Sequence, residues 1–221
     1  MAARSTSKAG REAADETPAR ERILEAAFSA FMESGFAETS TLEIATRARV
    51  SKRELYALVG SKQDMLVACI AARSKRLQAP ADLPEPQDRK TLAQVLTAFG
   101  AQLLRETSDP TVVAVFRLAI SEAVRAPEVA RALTSAGIET SRAALRDIMG
   151  RARSAGLLGG QPAEMTEHFA GLLWGNLMMN LLLRAVDRPS AREITRHAHD
   201  ATLAFLKIYP QPDQAEAGRS A

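Results

Sequence analysis

A single cysteine, three histidines and an aromatic content of only 5% in a 221-residue chain exclude several functional classes at once. One thiol, Cys69, cannot close an internal disulfide, and without clustered histidines it makes a poor metal site; it reads as a small buried apolar residue. The histidines do not converge. His168 follows Glu164 by one helical turn, while His197 and His199 are two apart and so face different sides of a helix, which leaves no metal-ligand spacing and no cofactor to hold. There is no Gly-rich phosphate loop, no Gly-x-Ser-x-Gly elbow and no Cys-His pairing, so the chain reads as a non-enzyme. The longest apolar stretch, Leu177 to Leu183, is interrupted by Asn180 and falls far short of the roughly 20 residues a spanning helix needs. Residues 1–16 hold no continuous apolar core of the secretory type, and the expectation is a cytoplasmic protein with no membrane partner.

Strand signals are also scarce. No sustained alternation and no Asn-Gly or Asp-Gly hairpin occurs, whereas Ala, Leu, Arg and Glu dominate every segment, which predicts an all-α fold. Prolines and glycines cut the chain into about nine helices. Thr17 and Pro18 are the expected start of the first, whose Ile23, Leu24, Ala27, Phe28, Phe31 and Met32 recur at three-to-four spacing until Gly35. Polar, small-residue ends at 1–16 and 210–221 are expected to be disordered tails. The formal charge of +3 is not evenly spread, because the excess falls within residues 1–76. It concentrates between Ala45 and Lys62, where Arg47, Arg49, Lys52, Arg53 and Lys62 meet only Glu54, a cluster suited to a polyanion or to a solvated face.

That cluster coincides with three closely spaced helix starts. Ser40 is followed three residues later by Glu43, Ser51 by Glu54 and Ser61 by Asp64, two capping boxes and an aspartate analogue. They specify a helix from about Thr41 to Arg49, a second from about Lys52 to Val59 and a third from Lys62. Two short helices joined by a tight turn and packed on a longer preceding helix form a helix-turn-helix, here at about 41–60.

The ordered run Arg22 to Ala27, Phe31 to Phe36, Thr39 to Ala45, Val50 to Tyr56, then Ser61, Lys62 and Leu66, resembles the DNA-binding domain of the tetracycline-repressor (TetR/AcrR) family. The resemblance implies a three-helix DNA-binding domain at 17–62, whose second helix-turn-helix helix enters the major groove of a double-stranded operator. The sequence departs from the family at three places: Arg49 replaces the usual turn glycine, and Leu58 and Val59 replace a common His-Phe pair. Without the glycine, the turn either avoids positive φ or strains Arg49 by about 1 kcal/mol. Leu58 implies the loss of one phosphate contact.

A helix entering the groove presents its N-terminal side chains to base edges, which makes Lys52, Arg53 and Glu54 the candidate readers. Lys or Arg donates to guanine O6 and N7, while Glu54 either accepts from cytosine N4 or only closes its cap. The family resemblance places Tyr56 and Lys62 on phosphates, Lys62 at a helix start where backbone amides also face an anion; the alternative for Tyr56 is a packed aromatic. Ser40 and Thr41 are further phosphate donors. Leu42 stands where some relatives carry a base-contacting arginine, and Arg47 and Arg49 are either phosphate contacts or solvated charges.

Residues 63–209 exceed what a helix-turn-helix requires, and supply ligand sensing, dimerisation or both. Phe116 to Ala123 with Pro127 to Ala130 resembles the C-terminal domain of a subset of the same family, in which several helices surround a ligand cavity and the last two pair across a two-fold axis. From Met165 to Arg184 almost every position is apolar or small, so this helix must be buried on several sides. Together with Ala191–Tyr209 it is the expected homodimer interface, spanning about 163–186 and 191–209, with Gly171 and Gly175 one turn apart to permit close approach. Candidate ligand residues are Phe99, Leu103, Phe116, Ile120, Met149 and Phe169, joined by Leu173, Trp174 and Met178; the alternative for each is plain core. Arg117 and Asn176 are polar intruders in apolar helices that either meet a ligand or pair internally. The implied function is a ligand-responsive repressor released from a pseudo-palindromic operator by a small hydrophobic effector. The alternatives are a ligand-independent DNA-binding protein and an activator.

Overall fold

The structure, a computed structural model, describes residues 6–74, 77–78 and 84–211. All regular structure among them is helical: α1 (Thr6–Ser34), α2 (Thr41–Ala48), α3 (Lys52–Leu58), α4 (Lys62–Ser74), α5 (Arg89–Thr107), α6 (Pro110–Ser121), α7 (Pro127–Ala132), α8 (Glu139–Ser154), α9 (Pro162–Trp174), α10 (Leu177–Leu182) and α11 (Ala191–Ile208). A π-helical turn, Leu133–Ile138, joins α7 to α8. No single helix among the described residues is long and apolar enough to cross a membrane.

Two sequence expectations about boundaries change. The first helix starts at Thr6 and contains Pro18 instead of opening on it, so residues 6–16, expected to be a tail, are helical. Residues 1–5 and 212–221 of the expected tails lie outside the described residues. The helix expected over 163–186 is two helices, because Gly175 adopts φ 43 and ψ −127, a conformation that breaks the ladder and that glycine tolerates best. Gly171 and Gly175 therefore do not share one continuous helical face.

The chain folds into two packing units that do not follow chain order. One comprises the residues up to Arg73 together with 114–137; the other comprises 74–113 and the residues from Ile138 onward. In the first unit, Ile23, Ala27 and Phe31 of α1, Ile44 of α2, Leu55 of α3, and Met65 and Leu66 of α4 are buried. Val115, Leu118 and Ala119 of α6 and Val129 of α7 complete the same core. Cys69 is inside it, donating to Leu24 O at 3.2 Å, and burial pushes its thiol up to about 11; it is the inert apolar residue expected.

The second unit is built on Leu92, Leu96, Phe99 and Leu103 of α5, packed with Leu145, Ile148 and Met149 of α8 and with Met165, Phe169 and Leu173 of α9. Ile194, Ala198 and Phe205 of α11 close it, and the Phe169 and Phe205 rings meet edge to face at 5.4 Å. Arg89, the first residue of α5, donates from Nη1 to the carbonyls of Leu157 and Tyr209, both at 2.9 Å, and from Nη2 to Leu206 O. A guanidinium thus satisfies carbonyls at the end of α11, where a cation is favoured. Reciprocal caps fix the N-termini of α5 (Asp88 with Thr91) and α11 (Ser190 with Glu193). Their hydrogen bonds hold the Asp88 and Glu193 carboxyls below the usual range, a contribution that is present at neutral pH and fades as pH falls through the lowered values.

Candidate nucleic-acid interface

The α2–turn–α3 unit forms as its caps dictate. Ser40 Oγ accepts from Glu43 N at 3.1 Å, and Ser51 Oγ accepts from Glu54 N at 3.1 Å. Only the third start is a fully reciprocal box, with Asp64 Oδ2 accepting from Ser61 N at 2.8 Å and Ser61 Oγ accepting from Asp64 N at 3.2 Å. The Glu43 carboxylate turns instead to Arg47 Nη2 at 2.6 Å, and Arg47 also meets Glu33 at 2.8 Å. These bonds raise the Arg47 pKa, chiefly through Glu33; Glu33 itself is lowered first by its hydrogen bond from Ser29 and then by Arg47. Arg47 is thereby tied to α1 and its own helix, and of the two readings offered by the sequence it is the structural one that its partners favour.

Between the helices, Arg49 takes φ 56 and ψ 47. Val50 N donates to Ala45 O at 3.0 Å and Arg49 N to Thr46 O at 3.2 Å, both halves of a Schellman motif built on arginine where glycine is usual. Left-handed backbone in a residue with a Cβ costs roughly 1 kcal/mol. Arg49→Gly is therefore expected to stabilise the protein by about 1 kcal/mol, read as a higher urea midpoint at unchanged slope.

The cap at Ser51 brings Lys52, Arg53 and Glu54 to the first turn of α3, and all three are exposed while Leu55 alone is buried. None of the three side chains has an ion-pair partner among the described residues. The Glu54 carboxylate does not reach back to its cap. Tyr56, 48% exposed, is not a packed aromatic; its hydroxyl lies 3.2 Å from Thr41 Oγ1, linking the start of α2 to α3.

Lys62, which the family resemblance places on a phosphate, is engaged by the protein's own carbonyls. Its Nζ donates to the carbonyls of Phe36 (2.8 Å), Ala37 (3.2 Å) and Thr39 (3.1 Å) and sits 4.6 Å from the Phe36 ring centroid. An ammonium has three donors and all are used here, so the side chain pins the α1–α2 turn. The start of α4 already carries the Asp64 carboxylate, whose pKa is lowered by its bonds from Ser61. Thr39 was not singled out from the sequence, yet its buried hydroxyl lies 2.7 Å from Gly35 O and 3.1 Å from Ala30 O in the same turn. Only a threonine one place before a capping serine signals it.

The eleven candidate ligand residues divide between the two packing units. Phe99, Leu103, Met149, Phe169 and Leu173 are fully buried in the second unit, with Trp174 packed beside them and its Nε1 donating to Thr107 Oγ1 at 3.3 Å. Packing there is tight: a Cβ on Gly100 would lie 3.1 Å from Leu173 Cδ1. Phe116 packs on the core of the first unit, and Ile120 is 62% exposed. Arg117 is half-buried in the same helix, Asn176 is exposed at the break between α9 and α10, and Met178 is half-buried in α10.

Family models match both halves of this architecture. The bacterial regulatory protein, tetR family, model covers residues 23–69, and the model of the AefR-like transcriptional repressor C-terminal domain covers 94–211. No curated protein matches the chain. Among solved structures, the flavonoid-responsive regulator FrrA is 31% identical over 88% of this chain and 97% of its own, with a TM-score of 0.74. A TetR transcriptional regulator from Agrobacterium tumefaciens is 25% identical over 87% and 95%, with a TM-score of 0.72. The fatty acid degradation regulator FadR from Bacillus halodurans, 15% identical over 83% and 94% with a TM-score of 0.61, shares the fold. Two capped short helices, the second exposing Lys52, Arg53 and Tyr56, a left-handed turn between them and these matches across both halves agree: the chain belongs to the TetR family of transcriptional regulators, whose N-terminal helix-turn-helix binds DNA.

Proposed function

We propose that the protein is a homodimeric repressor that binds a pseudo-palindromic operator through α3 and is released by a small, mainly apolar effector. The observation that carries the DNA contact is the unpartnered, exposed set Lys52, Arg53 and Glu54 on the first turn of α3. Lys52 and Arg53 read bases, Glu54 accepts from cytosine, and Ser40, Thr41, Tyr56 and Arg49 contact phosphates around them. Selection from a random duplex library, followed by stoichiometry on the enriched site, tests this: a symmetric site bound by two subunits supports it, and no enrichment at low salt by folded protein defeats it. On that site, Lys52→Ala or Arg53→Ala is expected to relax preference at particular base pairs by about 1–3 kcal/mol, whereas a loss equal at all positions would make them phosphate contacts.

Two copies are needed because half-sites about 34 Å apart require a two-fold axis. Met179 and Leu183 around the end of α10, Val186 after it, and Leu203 and Ile208 on α11 are 42–69% exposed in the single chain, an apolar surface that a second copy would cover. The effector is the least constrained part. The similar regulator FrrA is flavonoid-responsive, so a flavonoid is the first compound to try; saturating it at 100 times its Kd is expected to stabilise the protein by about 2.7 kcal/mol. The close packing around Gly100 favours a second reading, a regulator blind to ligand, which an unchanged melting temperature across flavonoids and fatty acids would support.

A further inference from the structure

Glu122 is an anomaly within the first unit. It is 8% exposed, its Oε2 is buried with no hydrogen-bond partner among the described residues, and its Oε1 would lie 2.7 Å from a Cβ placed on Gly35. Gly35, at φ 85, ends α1, its N–H donating to Phe31 O at 3.0 Å. A carboxylate is thus pressed against a helix C-terminus, the end at which negative charge is unfavourable, with one oxygen unsatisfied. A buried carboxyl oxygen left unsatisfied at a close backbone approach points to a use other than stability.

Its place in the chain indicates the use. Glu122 continues α6, donating from its backbone N–H to Leu118 O at 2.9 Å, and α6 carries Phe116, Arg117 and Ile120, three of the effector candidates. On the other side, Gly35 opens the five-residue turn 35–39 that leads into the Ser40 cap of α2, the turn whose carbonyls hold Lys62 and the Thr39 hydroxyl. We propose that Glu122 is the positioning residue by which α6 biases the 35–39 turn and so links effector occupancy to the orientation of the DNA reader. This inference rests on the ligand-responsive reading above. The unfavourable contact keeps two arrangements close in free energy: one with Glu122 against Gly35, as here, and one with α6 withdrawn and the turn relaxed. Gly35, at φ 85, favours the first, since a side chain there would be strained and would have to displace the Glu122 carboxyl.

The test uses the full chain and the duplex enriched by the wild type. Glu122→Gln keeps the shape and removes the charge, Glu122→Asp keeps the charge and retracts it by one methylene, and Ser121→Ala on the neighbouring exposed residue is the control. Operator Kd, base preference, melting temperature and hydrogen exchange of amides 35–40 are measured for each. Glu122→Gln is expected to leave the melting temperature equal or higher and base preference unchanged, to shift operator Kd at least fivefold and to alter exchange at 35–40, with Ser121→Ala inside twofold. A Kd within twofold of wild type for both Glu122 variants, or a weakening that only tracks a lower melting temperature, overturns the coupling and leaves the DNA-binding function standing. Failure of the wild type itself to enrich a site would defeat both.

Discussion

Lys62→Met is expected to destabilise the protein by about 3 kcal/mol and to lower its melting temperature by roughly 10 °C, while leaving the salt dependence of operator binding nearly unchanged. The ammonium makes three hydrogen bonds to the carbonyls of Phe36, Ala37 and Thr39, and methionine keeps the aliphatic stem but leaves all three without their donor. Charged hydrogen bonds contribute about 1.5–3 kcal/mol each when buried, and partial exposure here reduces the sum. The family resemblance puts this lysine on a phosphate, for which the same substitution gives the opposite pattern: unchanged melting and, with two subunits on the site, a salt slope shallower by about 1.8. Thermal denaturation and a salt titration of operator affinity on one preparation decide between a pin and a contact.

The second large effect is expected at Leu183. It is 69% exposed at the end of α10, with Met179, one helical turn before it, 58% exposed. Burying a leucine contributes about 1.5–3 kcal/mol, and a two-fold interface counts each substitution twice. Leu183→Glu is thus expected to raise the dimer dissociation constant at least a hundredfold, seen by sedimentation as monomer at micromolar concentration. Because operator half-sites are bound in pairs, affinity for the full site is expected to fall with it, while each chain keeps its helical circular dichroism. A variant that stays dimeric would move the interface away from this surface.

The parts of this molecule that were legible in the letters are those fixed by local rules. Ser40, Ser51 and Ser61 marked three helix starts because a hydroxyl cap three residues before an acid is a short-range signal, and all three starts are present. Exposure of Lys52 and Arg53 followed from the same register, since Leu55 had to face inward. What the letters did not carry depends on contacts distant in sequence. Nothing near Lys62 says that carbonyls some 25 residues earlier will take its donors. Nothing in α6 says that its apolar face belongs with α1 and not with α5, so Phe116 and Phe169 looked equivalent on spacing alone while packing puts them in different cores. Arg49 shows the converse: its turn was required by register, and arginine adopted the left-handed backbone because the surrounding hydrogen bonds over-determine it.

The interleaved order of the two packing units limits how this protein can be taken apart. A fragment cut after α4 would contain every residue named as a DNA contact, yet it would lose Val115, Leu118, Ala119 and Val129 and leave Ile70, Met65 and their neighbours open to water. Grafting its reader onto another sensor, or another reader onto this sensor, at a single junction would divide a core in two. A working chimera has to exchange residues 114–137 along with the first 73, and natural recombination at one crossover faces the same obstacle, so reader and α6–α7 are constrained to evolve as one inherited block.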